Sequence, residues 1–352
     1  MIQNMKNTFI RFKRSAAFTG FALFGVALIL NIIIRGPADF FSAQSMGTLF
    51  SKNAPIILVT MAQAVLLITG TLDISIGIQL ALVNVVVIML PQELGVSIPF
   101  AWLIGILVSL AISAVGGFLV AVLRIPSLLA TFALTFVVMG INVLIMNVPQ
   151  GSVPKAYYST YDSLLFDFLP VSALMILGVA LIWAVVKRTK FGKHIYAVGA
   201  DPKKAFAAGI NPTVTIMKAF LFKGFITGIA GIALTLMIAS GNPLQVESYG
   251  LKSLAACIIG GLAFGGWGSM ASAVYGVGFL VLIQNAVYYF FNFLQGVVEG
   301  FQITSYWQNF ISDLIIMLGL LMTRVTAKVQ REALKQGLSR QTKRGGKYAK
   351  ET

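Results

Sequence analysis

The chain has 352 residues, 58% of them hydrophobic and only 11% charged, and its 26 Lys+Arg against 11 Asp+Glu leave a formal net charge of +15. A soluble domain of this length would carry about a quarter of its residues as charges, so an ordinary soluble fold is excluded and most of the chain belongs in lipid. One Cys (Cys257) and one His (His194) exclude a disulfide framework, a Cys/His zinc cluster and a Cys–His nucleophilic pair.

Residues 1–15, with Lys6, Arg11, Lys13 and Arg14, read as a cytoplasmic N-terminal segment. The apolar run 16–34 that follows is too long for a signal-peptide core and lacks a clear small-residue cleavage site, so it reads as an uncleaved span. Further runs at 54–69, 100–123, 126–147, 170–186, 219–239, 270–291 and 303–323 approach the roughly 20 residues that cross a bilayer. Two shorter runs, 74–90 and 251–264, adjoin Gly-rich breaks; ten crossings result if both cross and eight if neither does. The expected fold is therefore an all-α polytopic membrane protein of about ten helices, some short or Gly-interrupted, with the membrane domain spanning 16–323.

Orientation follows from Lys and Arg, which cytoplasmic loops retain in excess. Four lie in the N-terminal segment, seven in the 187–218 loop and nine in the tail from Arg324. With Arg124 and Lys223 read as span ends on the same side, 22 basic residues share one face and both termini are cytoplasmic. The tail 324–352 reads as a solvated segment near anionic lipid, and no aromatic-interleaved motif points to nucleic acid.

Three segments punctuate the spans. In GTLDISIGIQL (70–80), Asp73 interrupts an apolar stretch between Gly70 and Gly77. A broken helix is tolerated in a membrane only where its freed backbone is buried in protein or lines a cavity. Asp73 is thus either a structural cap beside a path or gate, or an N-cap exposed at the membrane boundary. In the 187–218 loop, Asp201 as N-cap, Pro202 in the first turn and Gly209 as stop write a two-turn helix over 202–208. That helix either lies on the membrane surface or docks on a partner. In LKSLAACIIGGLAFGGWGSM (251–270), Gly260, Gly261, Gly265 and Gly266 allow close helix packing or solute contact, and Gly224 and Gly228 repeat the small-xxx-small spacing.

Gln63, Gln79, Asn84, Thr131, Thr135, Asn142, Gln284 and Asn285 lie within spans, where they either line a path for an uncharged, hydroxyl-bearing solute or hydrogen-bond between helices. Asp313, near the middle of the last span, calls for a basic partner or protonation. No GxxxxGK[ST] phosphate loop, HExxH, paired-carboxylate or GxSxG pattern occurs, and no metal site is expected.

These motifs resemble those of permease subunits of bacterial ABC importers for ribose and related simple sugars, within the wider family that includes branched-chain amino-acid permeases. The likeness is carried by GTLDISIG (70–77), RIPSLLATFAL (124–134), TKFGKHIYAVGADPKKAFAAGI (189–210) and the stretch from Gly241 to Gly278 that contains GNPLQVESYGLKSLAACIIGGLAFGGWGSM, in order over about residues 50–324. Ala200-Asp201 stands where the family has Gly-Asn, and Asp313 and the outer loop with Gln295, Glu299 and Tyr306 are atypical. The resemblance implies a translocation subunit of the bacterial cytoplasmic (inner) membrane, dimerising with a second copy or a paralogue. It also implies that a separate cytoplasmic ATPase holds ATP and Mg, that an external solute-binding protein delivers substrate, and that this chain carries no cofactor. Gly199, Asp201, Pro202, Lys203, Lys204, Ala205 and Gly209 would form the element that meets the ATPase. A pentose or hexose is the expected solute; a nucleoside or autoinducer-type furanone is the alternative. A secondary transporter with Asp73 or Asp313 as proton site is the reading from another class.

Overall fold

A computed structural model of the chain describes residues 17–326 other than 168, 264, 267 and 299–302. The segment 1–15, Glu299 and nearly all of the basic tail lie outside the described residues. The elements in chain order are α1 (Ala17–Arg35), α2 (Pro37–Phe40), α3 (Ala43–Ile68), α4 (Ile76–Leu94) and α5 (Ile98–Gly117), the last prolonged by a π-helical turn, Phe118–Val122. There follow α6 (Ser127–Ile145), α7 (Lys155–Asp162), a small antiparallel ladder of β1 (Leu164–Leu165) and β2 (Leu169–Pro170), α8 (Val171–Val186), α9 (Lys190–Ala200) and α10 (Pro202–Ala207). The described chain ends with α11 (Pro212–Ile238), α12 (Tyr249–Ile259), α13 (Met270–Val297) and α14 (Ser305–Thr326).

Among the described residues, seven helices are long and apolar enough to cross a membrane: α1, α3, α4, α5 with its π-turn, α6, α11 and α13. The count rises to eight if α8 and α9, bent by 81° at their junction, are one span. The run 74–90 becomes a full 19-residue helix, α4. The run 251–264 does not: α12 has 11 residues, about 16 Å against a hydrocarbon core of about 30 Å. A second unforeseen feature is α9, a helix in the stretch where only the 202–208 turn was legible. Its N-cap is Thr189, whose hydroxyl accepts from the Gly192 N–H.

The centre of the bundle is α3, α4 and α11, whose apolar side chains form one buried cluster, with α5 closing one side. A second cluster joins α1, α13 and α14. Close approach of α11 to α5 and α4 rests on small residues: a β-carbon at Gly228 would lie 2.8 Å from the Ile106 Cα, and one at Gly231 2.5 Å from the Val83 Cβ. Lipid supplies no hydrophobic drive between helices, so this backbone proximity is what holds α11 in place. Gly228→Ala is expected to cost about 1–3 kcal/mol through overpacking. Gly140→Ala on α6, with open space around it, should cost far less. Thermal unfolding of the detergent-solubilised variants measures the difference.

Candidate functional site

The break between α3 and α4 is built by side chains that replace lost helical hydrogen bonds. Gly70, at φ +84°, takes the left-handed turn after α3. Past it the backbone is unwound, and its N–H groups find partners on neighbouring helices: Leu72 N–H donates to the Ser127 hydroxyl (3.3 Å) and Ile74 N–H to the Thr131 hydroxyl (3.1 Å). The carboxamide of Gln63, in the orientation that satisfies both its ends, donates to the Asp73 carbonyl (3.1 Å) and accepts from the Asp73 N–H (3.3 Å). This is how an irregular backbone survives at membrane depth.

Asp73 is fully buried, which overturns the reading of an N-cap exposed at the membrane boundary. Its carboxylate does cap the start of α4, accepting from the Ser75 N–H (2.8 Å) and hydroxyl (2.5 Å). Its other oxygen lies 2.5 Å from the Lys223 ammonium. Lys223 is likewise fully buried, twelve residues into the 27-residue α11, so placing it at a span end was wrong. The three ammonium hydrogens match three acceptors: the Asp73 carboxylate, the Gln79 carbonyl oxygen (2.7 Å) and the Ser113 hydroxyl (3.2 Å). Gln79 in turn donates to the Ser75 hydroxyl (2.7 Å) and, at 3.4 Å, to Asp73. Lys223, Ser75 and Ser113 are the members that sequence reasoning missed. A signal for Lys223 was present, since an intramembrane carboxylate requires a cationic partner and Lys223 lies inside an otherwise apolar span.

The other expected path residues are buried or half-buried, in separate groups. Asn84 donates to the Ser240 carbonyl (2.9 Å) and the Thr235 hydroxyl (3.1 Å) and accepts from the Asn242 N–H (2.8 Å). Asn142 donates to the carbonyls of Ile78 (3.2 Å) and Pro243 (3.0 Å). Thr135 bonds back to the Thr131 carbonyl. Asn285 donates to Asn31 across the α1–α13 contact, remote from Asp73, and Gln284 lies beside it on α13. Asp313 faces outward on α14, and among the described residues no basic side chain pairs with it.

The expected short helix is α10, one residue shorter than the 202–208 reading. Asp201 caps it, accepting from Lys203 N–H (3.0 Å) and Lys204 N–H (3.1 Å); Gly209 follows in the left-handed conformation. Pro202, Lys203, Lys204 and Phe206 are exposed, while Ala205 is buried. Gly199, at the end of α9, sits so close to the Ile68 carbonyl and the Gly266 N–H that no side chain fits. Gly265 and Gly266 form a left-handed turn beneath it, with Gly265 N–H 3.4 Å from the Leu67 carbonyl and Gly70 alongside. Gly260 and Gly261 end α12, Gly260 against the Ser272 carbonyl of α13. The α9–α10 unit therefore rests directly on the end of α3 that leads into the Asp73 break.

A bundle of long apolar helices with a broken helix pair and a buried ion pair at its centre is a polytopic membrane protein of the transporter kind. The chain belongs to the branched-chain amino acid transport system / permease component family, whose model matches residues 45–321. It is 28% identical over 349 residues to the autoinducer 2 import system permease protein LsrC of Enterobacter sp. (strain 638), covering 97% of this chain and 96% of that one. It is 27% identical to the fructose import permease protein FrcC of Rhizobium meliloti (71% and 73% covered). To the galactose/methyl galactoside import permease protein MglC of Escherichia coli (strain K12) it is 24% identical (82% and 89% covered). No solved structure matches the chain.

Removing one member of a buried ion pair strands the other charge, at a cost of about 3–5 kcal/mol. Asp73→Asn and Lys223→Met should each lower the unfolding midpoint sharply, and the double variant should recover much of the loss; a double-mutant cycle measures the coupling. At α10, the backbone N–H of Lys204, then its ammonium and the Lys203 N–H, hold the partly exposed Asp201 carboxyl below its usual value. A depressed carboxyl contributes stability above its unfolded pKa of about 4, and that contribution is lost as pH falls through the folded value. The protection of the Lys203 and Lys204 amides, taken as the exchange rate relative to the intrinsic rate at each pH, should fall on acidification in the wild type, and Asp201→Asn should flatten that dependence.

Proposed function

We propose that the chain is the translocation subunit of an ATP-binding-cassette importer in the bacterial cytoplasmic membrane, moving a sugar-like solute by alternating access. The observation that carries this reading is the α9–α10 unit: an exposed, capped helix seated through Gly199 on the hinge that holds Asp73. The face with α9 and α10 is cytoplasmic in this reading, as are both termini, because Lys187, Arg188, Lys190, Lys193, Lys203 and Lys204 cluster there. A partner ATPase binds ATP and Mg and closes on α10, contacting Phe206, Lys203 and Lys204. Its movement reaches α3 and the Gly265–Gly266 turn through Gly199. Asp73 and Lys223 keep the unwound segment attached to α11, so the segment and that helix move together.

An external solute-binding protein delivers the solute, and a second permease copy or a paralogue completes the pathway. The import permeases similar to this chain name fructose and galactose, which favours a hexose. The match to an autoinducer 2 permease over 97% of the chain supports a furanone-type solute as the second reading. Proton coupling by Asp73 is disfavoured, since its carboxylate is committed to Lys223 and Ser75.

Proteoliposomes holding the permease, its ATPase and the binding protein should take up solute only with ATP and Mg. Phe206→Ala should reduce this uptake at least severalfold while leaving the unfolding midpoint in place, because the Phe206 side chain is largely exposed. Gradient-driven uptake by the permease alone would exclude the importer reading.

A further inference from the structure

Between α11 and α12 the chain runs without helix from Ala239 to Ser248. It starts at the face opposite α10, where Gly241 and Gln150 exchange backbone hydrogen bonds of 3.0 and 3.1 Å. It then descends along α4. The Asn242 N–H donates to Asn84, the Pro243 carbonyl accepts from Asn142, and the carbonyls of Val246 and Glu247 close on Gly77, where a β-carbon would lie 2.5 and 2.7 Å from them. Gly77 is four residues past Asp73, and Asp73 is held by Lys223, about 17 Å along α11 from its start. The Glu247 main chain therefore lies close to the level of Lys223, between the two ends of α11 rather than at either of them.

Val246 is buried, but Gln245, Glu247 and Ser248 are exposed on the surface of this chain. Unwound backbone with polar side chains does not face hydrocarbon; it is buried in protein or borders water. A carboxylate at this depth obeys the same rule. Lys252, on the first turn of α12, is half-buried, and no ion pair joins it to Glu247 among the described residues.

We propose that the segment Gln245–Ser248 lines the aqueous solute pathway, with Gln245 and Ser248 offering hydrogen bonds to hydroxyl groups and Glu247 disfavouring anionic solutes. This rests on the permease reading and specifies the surface the solute meets. Gln79 and Asn84 are committed to hydrogen bonds and Asn142 is buried, donating to the Pro243 carbonyl, whereas Gln245, Glu247 and Ser248 are exposed; Gln245 accepts from the Asn242 amide (2.8 Å) and keeps its own amide N–H groups to donate. A carboxylate bordering a narrow wet path selects by charge, as acidic rings do in cation-selective pores. The solute class that fits is a neutral polyhydroxy compound.

The test uses thiol accessibility in membranes containing the assembled transporter. The native Cys257 is fully buried, so the wild type serves as the unreactive background. Gln245→Cys, Glu247→Cys and Ser248→Cys should react with both a cationic trimethylammonium-ethyl and an anionic sulfonatoethyl methanethiosulfonate. Leu181→Cys, on the outward apolar face of α8, should react with neither. At Gln245→Cys, adding Glu247→Gln should lower the cation-to-anion rate ratio by about five- to tenfold, from the Coulomb energy of one charge roughly 7 Å away in water. Two results overturn the proposal: modification only by a lipid-soluble maleimide, which puts the segment in hydrocarbon, or by no reagent, which puts it in a dry interface. An unchanged rate ratio removes Glu247 from the pathway. Water-accessible thiols without ATP-dependent uptake would leave the wet segment standing and reject the importer reading instead, so the two failures are distinct.

Discussion

The buried pair of Asp73 and Lys223 is the constraint on which the rest of the bundle depends. Either charge alone in the middle of a membrane protein costs several kcal/mol, so neither residue is stable there without the other. Together they join the unwound end of the α3–α4 break to the central helix α11. Gln79, Ser75 and Ser113 complete the network so that every ammonium hydrogen has an acceptor. A half-satisfied network would be worse than an apolar contact, which is why the polar residues around the pair come as a set.

Breaking the helix at that depth leaves backbone groups to satisfy, and the solution spreads across the fold. Ser127 and Thr131 from α6 and Gln63 from α3 take the N–H groups between Leu72 and Ile74. Asn84 and Asn142 do the same service for the second unwound segment, after α11. The two irregular stretches meet at Gly77 and Gly250, where main chain touches main chain. A bundle of rigid helices thus contains a central non-helical layer, and that layer connects the hinge below with the outward polar segment above.

Glycine contacts then connect the layer to the surface. Gly199 places α9 against the end of α3, and the Gly265–Gly266 turn closes the gap from the other side. Side chains at these positions would force these elements apart. The α9–α10 unit and the end of α3 therefore touch through main chain rather than through flexible side chains.

Much of this was legible in the sequence, for identifiable reasons. Apolar run length marks spans because a bilayer has a fixed thickness, and the cap, proline and glycine around residues 201–209 mark α10 because they act on their own neighbours. The same locality explains the misreadings. Lys223 resembles a span end until α11 is seen to begin at Pro212, and Asp73 resembles an exposed cap until α11 is brought against it from 150 residues away. Whether Asp313 has a partner, and which polar residues bond each other rather than face outward, are likewise set by helix packing. Composition, periodicity and local capping are properties of adjacent residues, and the sequence by itself determined those: a polytopic helical membrane protein with a docking-sized helix on its basic face. Pairing of charges, satisfaction of broken backbone and the exposure of Gln245, Glu247 and Ser248 arise between segments far apart in the chain, so only the tertiary structure decided them.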